Sequence, residues 1–334
     1  MILVTGATGR LGNHVVRALR RMGQPVRALV RKGSGYFWLN DTGCNYFFGD
    51  LRDELSLARA CTGVTYLVAC SGVDLEDKAN NHTSVTVEGH LRLWQAAKDR
   101  GIHHTVYVSA MGVDRGYEIP WYGAKGEAEQ GLIDAGIPHT ILRPAPFSRT
   151  FAEIAHRAAQ RGSWFVPGPA TNQVAPISVR DLALYAIAAL DLDLTRNKVV
   201  EVSGPEAMSA REALDRALAK AGGANVRALP SAAAKGLAMA ARPLGKRWDH
   251  KLRHYGTWFS DEFTADMAAL IAATGIQLTP FDDAVEQDLG EIVALEDPKA
   301  RDDKVVHRKF DATVYSPGEV AYETLPSGPL RYED

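Results

Sequence analysis

Cysteine is scarce in this chain: Cys44, Cys61 and Cys70 are the three in 334 residues. They are odd in number and widely spaced, with no CxxC pair and no Cys/His cluster at metal-ligand spacing. No metal centre is expected, and reduced thiols of a cytosolic protein are the simplest account. An excess of one charge is missing too. The 38 basic and 40 acidic residues leave a net charge of −2, with the signs interspersed, so bulk electrostatics offer nothing to a nucleic acid. No uncharged apolar run approaches the roughly 18 residues that would suggest a membrane span. The chain opens on Met1-Ile2-Leu3-Val4 without a basic leader or cleavage site, so no secretory signal is expected and the expected location is cytoplasmic. No internal repeat is evident.

What is there is the composition of an ordinary globular protein. An apolar share of 46% can fill a core, and a charged share of 23% is far from that of a disordered chain. Up to residue 147, short apolar runs alternate with helical stretches. Strands are expected at 1–5, 25–30, 44–48, 64–69, 104–109 and 138–142, and helices at 11–22, 53–61, 79–99 and 121–135. Such alternation implies right-handed βαβ crossovers and an α/β fold, a Rossmann-type doubly wound parallel sheet. Gly23 and Gly136 close helices, and Pro120 opens one where its missing N–H costs nothing.

Beyond residue 147 the pattern turns mostly helical, with helices expected at 147–161, 180–191, 209–222, 231–241, 246–258 and 260–273. Strands are fewer, at 174–178, 198–202 and 225–229. The reading is a dinucleotide-binding domain over 1–147, to which strands near 174–178 and 198–202 return, and a mainly helical substrate cap over 148–295. A polar extension over 296–334 reads equally as an ordered arm or a mobile tail.

The segment Val4-Thr5-Gly6-Ala7-Thr8-Gly9-Arg10-Leu11-Gly12 carries the clearest chemistry. It follows the first strand directly and runs into a helix. Gly6, Gly9 and Gly12 allow a tight turn, bring backbone N–H groups against a diphosphate and let helix and sheet pack closely. Thr8, Arg10 and Leu11 lie in the same cradle. A glycine turn of another α/β protein would share the spacing, but the strand–loop–helix context selects the dinucleotide reading. At the end of the second strand an acid would bind a ribose 2′-hydroxyl. Here Arg31-Lys32 stand instead, which suits a 2′-phosphate, and Arg10 could add a third charge. NADP(H) is therefore preferred as cofactor, with NAD(H) left open, and the alternative is a solvated basic turn.

Gly6-Ala-Thr-Gly-Arg-Leu-Gly12 resembles the signature of the short-chain dehydrogenase/reductases, specifically their atypical NmrA-like branch. Matching pieces are Gly49-Asp50-Leu51, Val106-Tyr-Val-Ser109, Lys125-Gly-Glu-Ala-Glu129, Gly136-Ile-Pro-His-Thr-Ile-Leu-Arg-Pro144, Ile177-Ser-Val-Arg-Asp181 and Val202-Ser-Gly-Pro205. The resemblance spans residues 1–290. It implies that Asp50 and Leu51 meet the adenine, that Ala69, Cys70 and Ser71 line the cofactor, and that Pro144 and Phe147 lie near nicotinamide and substrate. Asp50 as a helix cap and Cys70 as a core thiol are the plain alternatives.

The family mechanism uses a Tyr four residues before a Lys on one helix, with a nearby Ser. This chain reads Trp121-Tyr122-Gly123-Ala124-Lys125, so Trp stands in the Tyr position and Tyr122 lies only three residues before Lys125. Tyr122 is a candidate acid or simply a pocket tyrosine. Lys125 is the stronger candidate, for holding ribose or transferring a proton. Ser109 is the nearest hydroxyl, with Ala110 or Met111 as the register alternatives. His103-His104 reads as a solvated turn, and Phe147, Trp164 and Phe165 as pocket walls or core. Trp248, Leu252 and Tyr255 form a stripe within the basic segment 246–255, suited to a membrane surface or protein partner, or to packing on the cap.

Together these features imply an NADPH-dependent reductase of a small carbonyl, enone or quinone-type substrate. Two rivals stay open: a non-catalytic NADP(H)-binding redox sensor or assembly factor, and an epimerase or dehydratase that retains its cofactor. A homodimer is left open.

Overall fold

Strands apolar on both faces need helices on both faces, and the chain supplies them in alternation. The computed structural model describes residues 1–36, 39–77, 79–230 and 253–296. Its first strands are β1 (Ile2–Thr5), β2 (Val26–Val30), β3 (Asn45–Phe48), β4 (Tyr66–Ala69), β5 (His104–Val108) and β6 (His139–Pro144). After β7 (Ser163–Pro167) and β8 (Gln173–Val174), β9 (Lys198–Val202) joins outside β6. The seven-stranded order is β3-β2-β1-β4-β5-β6-β9, and every pairing in it is parallel. The order reverses between β1 and β4, so a crevice opens there beyond the strands' carboxyl ends.

Helices α1 (Arg10–Arg21), α2 (Glu54–Ala60), α3 (Glu88–Asp99), α4 (Pro120–Ala135), α5 (Ser148–Arg161), α6 (Val179–Ala188) and α7 (Ala210–Ala221) follow in turn. A helical run over 253–258, then α8 (Ala268–Thr274) and α9 (Phe281–Glu296), complete the described helices. Val15, Val16 and Leu19 of α1 and Leu182 and Ile187 of α6 cover one sheet face. Leu57, Leu93, Trp94, Ala128 and Leu132, from α2, α3 and α4, cover the other. A third core joins Phe151 and Ala155 of α5 to Leu214 of α7 and Phe281 and Val285 of α9. No helix among the described residues is long and apolar enough to cross a membrane.

Several expectations need correction. The strand expected at 174–178 is only Gln173–Val174, and it pairs antiparallel with β10 (Met208–Ser209) instead of returning to the main sheet. Pro176 has no N–H with which to continue a ladder. The helix expected at 79–99 starts later: Asn81 caps a π-helical turn over His82–Val87, and α3 follows it. The helix expected at 260–273 begins at 268, because Phe263 is drawn into a bridge with Val174. Strand β7, which pairs with β11 (Asn225–Leu229), and helix α9 were not anticipated. His104 is no solvated turn residue: it is buried in β5 and bonded to Thr140 Oγ1 at 3.0 Å. Phe165 is 54% exposed and so is not a core residue. The expected helix 231–241, residues 246–252 of the basic segment and the extension from 297 lie outside the described residues.

Buried charges fasten the last helix. Glu291 of α9 accepts from Arg149 of α5 at 2.9 Å and from Arg180 of α6, while Asp288 accepts from Ser148 Oγ at 2.6 Å. Just before α9, Thr279 donates its backbone N–H and its hydroxyl to Asp181, both at 2.8 Å. Burial pushes the Asp181 carboxyl up to about 6, above the roughly 3.9 of an unfolded chain. The folded protein therefore holds this proton more tightly than the unfolded one. The associated stability is present below about pH 4 and is lost as the pH rises to about 6. We expect Asp181→Asn to remove that decline. Between about pH 4 and 7, urea unfolding of wild type should lose about 2–3 kcal/mol relative to the variant. Parallel pH profiles for the two proteins would count against this account.

Candidate cofactor and active site

The turn from β1 into α1 is closed by steric contact. A side chain at Gly12 would put its Cβ 2.2 Å from the Gly6 carbonyl oxygen, and one at Gly6 would stand 2.7 Å from the Cys70 carbonyl and the Ser71 nitrogen. Gly6 has a φ of +67°, which glycine adopts freely. Gly9 caps α1 without a side-chain hydrogen bond, so the first N–H groups of the helix point outward with its positive dipole behind them. Backbone this close, with donors this free, suits a diphosphate.

On the β2–β3 side, Arg31 and Lys32 are exposed at the end of β2. Arg31 donates to Asn80 Oδ1, and Arg52 donates to the Ala79 carbonyl at 2.7 Å, so residues 79–80 lie against this corner. Asp50 accepts from the Arg52 backbone N–H and guanidinium, which hold its carboxyl below the usual range. Leu51 is buried against Gly89 of α3. Arg10 turns elsewhere: it pairs with Glu153 of α5 at 2.6 Å. Thr8 is half-buried in the loop and Leu11 is buried.

On the other side of β1, the ends of β4, β5 and β6 come together. Ala69 pairs with Thr5 on one side and with Tyr107 on the other. Cys70 is half-buried, and burial raises its thiol to about 12, so it is an unreactive thiol. Ser71 Oγ lies 2.8 Å from Thr5 Oγ1 and 3.1 Å from His90 Nε2. Pro144 ends β6, and Phe147 caps α5 and bridges to Ile177.

Lys125 is 7% exposed, and its ammonium donates to the Val108 carbonyl at 3.1 Å. Burial lowers its pKa, opposed by Asp74, Glu129 and Cys70. The indole of Trp121, one turn earlier on α4, lies 5.0 Å from Nζ, and the Tyr107 ring lies 5.5 Å away. Next to Val108, the Ser109 hydroxyl is buried with no hydrogen-bond partner among the described residues. Such a group costs about 1–3 kcal/mol unless a ligand satisfies it.

Tyr122 is engaged away from this lysine. Its ring contacts Tyr117 at 4.8 Å and Trp121 at 4.9 Å, and stacks on His254 at 5.3 Å. Burial pushes its pKa up to about 12. The i,i+3 spacing rotates it towards the helical run 253–258, which also carries Tyr255 against Trp258.

The sequence reading missed His90, Thr5 and Glu153. His90 carried no signal on an otherwise ordinary amphipathic helix, and Thr5 read as the last strand residue. Among the described residues no group of three His, Cys, Asp or Glu could hold a metal ion.

With this geometry in place, comparison adds ancestry. The model of the NmrA-like family matches residues 1–247. An NAD(P)H azoreductase of Xenophilus azovorans is 30% identical over 227 residues, covering 68% of this chain and 76% of the relative. A photosystem II assembly factor, Ycf39 of Cyanophora paradoxa, is 28% identical over 204 residues, 61% of this chain and 63% of the relative. Among solved structures, an NADPH-dependent quinone oxidoreductase of Escherichia coli superposes with a TM-score of 0.68 at 23% identity, covering 85% of this chain and 98% of that one. At that identity the likeness is one of fold.

The close approach of Gly12 to the Gly6 carbonyl has a measurable consequence. We expect Gly12→Ala to destabilise the protein by about 1–3 kcal/mol, because the methyl cannot be placed without moving α1 off β1. A fluorescence titration with NADPH should show dinucleotide binding lost with it. A variant with wild-type melting temperature and affinity would contradict the close approach.

Proposed function

The chain belongs to the NmrA-like family, and on that premise we propose that it is an NADPH-dependent reductase of a small carbonyl, enone or quinone-type substrate. The observation that carries the proposal is the buried Lys125 ammonium bonded to the Val108 carbonyl at the carboxyl end of β5, next in the chain to Ser109, whose hydroxyl has no partner among the described residues. The outward N–H groups of Arg10 and Leu11 would hold the diphosphate, Arg31 and Lys32 the 2′-phosphate, and Asp50 and Leu51 the adenine. Ala69, Cys70, Ser71, Pro144 and Phe147 would flank the nicotinamide half. NAD(H) remains the weaker donor, because the basic pair has no charge to meet in it.

The nicotinamide supplies a hydride when bound. The chain's own part is then to place the substrate oxygen and provide one proton. Trp121 stands where the family's tyrosine would be, and Tyr122 is committed to the aromatic cluster around His254, so neither serves as the acid. Lys125 is the group left: burial makes its ammonium a readier proton donor than a surface lysine. Ser109 would hydrogen-bond the same oxygen. The azoreductase and quinone oxidoreductase relatives support reduction as the reaction class. The proposed location is cytoplasmic.

A second reading, a non-catalytic NADP(H) sensor or assembly factor, draws on the missing tyrosine and on the assembly-factor relative. Both readings are separated by following NADPH oxidation against ketones, enones and quinones. The reductase reading expects turnover that falls at least about 100-fold in Lys125→Ala and stays within about threefold in Tyr122→Phe. Tight NADPH binding without oxidation of any substrate transfers the weight to the sensor reading, and product formation without net NADPH consumption to an epimerase or dehydratase. Separately, Arg31→Ala with Lys32→Ala should cut the preference for NADPH over NADH by about 10–100-fold in KM.

A further inference from the structure

The half-buried Ser71 hydroxyl ends a chain of hydrogen bonds whose direction is set at the far end. His90 Nδ1 lies 2.7 Å from the Thr86 carbonyl oxygen. A carbonyl only accepts, so the ring proton sits on Nδ1. Burial pushes the imidazole down to about 4, with Lys125 adding to the push, so the ring carries one proton at neutral pH. Its Nε2 is then a bare lone pair, and the Ser71 hydroxyl, 3.1 Å away, donates to it. With its single proton committed, Ser71 can only accept from the Thr5 hydroxyl at 2.8 Å. The ring is packed against Trp94 at 5.2 Å and Tyr107 at 5.0 Å, which holds both nitrogens to their partners. Thr86 also fixes the following loop, since its Oγ1 accepts from the Val73 N–H at 3.2 Å.

Thr5, Thr86 and His90 are buried, so Ser71 is the member of this chain that a ligand can reach. Its position follows from the sheet order. The diphosphate cradle lies at the end of β1, the basic pair lies beyond it on the β2 side, and Ser71 lies beyond it on the β4 side. A molecule that spans the basic pair and the cradle continues past Ser71.

We infer that His90 is a positioning residue that fixes Ser71 Oγ as an acceptor-only contact for a hydroxyl or amide N–H on the nicotinamide half of the cofactor. The inference rests on the cofactor reading above. It divides the groove by polarity. Donors line the places that phosphates occupy, and beyond them stands an oxygen that would repel a phosphate and welcome a ribose hydroxyl or a carboxamide.

The test uses the full chain. In long-range proton–nitrogen spectra of protein carrying nitrogen-15 histidine, His90 should be the Nδ1–H tautomer at neutral pH; a proton on Nε2 overturns the inference. His90→Phe keeps a ring between Trp94 and Tyr107 but removes both nitrogens. In this variant and in Ser71→Ala, NADPH should bind about tenfold more weakly, while adenosine 2′,5′-bisphosphate, which lacks the nicotinamide half, binds within about twofold of wild type. Equal weakening of both ligands marks a merely structural role and overturns the inference, as does weakening of neither. If His90→Phe does not fold, the wild-type tautomer and the Ser71→Ala titrations decide. Wild type that fails to bind the bisphosphate overturns the cofactor reading itself, whereas selective failure in the variants bears on His90 alone.

Discussion

The architecture of the site depends on one close approach. Gly12 brings the first turn of α1 against the Gly6 carbonyl, and Gly6 lies against the backbone of Cys70 and Ser71. These contacts lock β1, α1 and the end of β4 into a single unit, so the loop amides and the Ser71 hydroxyl keep a fixed relation. A methyl group at either position would separate them. No side chain takes part in this constraint, which is why the surrounding side chains are free to serve recognition.

Around that unit the polar groups are sorted by what they can offer. Free N–H groups and the exposed guanidinium and ammonium of Arg31 and Lys32 lie on one side. On the other side stand Ser71, with its proton committed to His90, and Lys125, held under Trp121 and tied to Val108. The lysine is buried without a direct carboxylate partner among its hydrogen bonds, and burial lowers its pKa. A surface ammonium would give up its proton less readily, because the dry setting disfavours the charged form. Further out, Glu129 takes its own counter-ion, Arg143, at 2.7 Å, while its charge still opposes the lowering of the Lys125 pKa.

The doubly wound sheet was legible because its signals are local. Apolar runs of four or five residues, helical periods between them and Gly or Pro at the joints all lie within a few residues of each other, and the first half of the fold follows from them. Where the reading failed, a distant partner had intervened. Phe263 gives up a helical position to pair with Val174, and Pro176 ends a strand that composition alone extended. Arg10, which looked like a further cofactor charge, is turned by Glu153, 143 positions away in the chain. His104 looked like a solvated pair with His103 and is instead closed in by Thr140.

The sequence by itself determined the glycine cradle, the basic pair after β2, the place of Lys125 along its helix and the lack of a tyrosine four residues before it. Those are matters of spacing along a strand or a helical turn, where geometry follows from the number of residues. Only the tertiary structure decided that Tyr122 leans on His254, that Ser109 lacks a partner among the described residues and that His90 commits the Ser71 proton. Each of these depends on which groups from separate elements meet when the sheet and its helices pack, and a hydrogen bond has its direction only once both of its ends are in place.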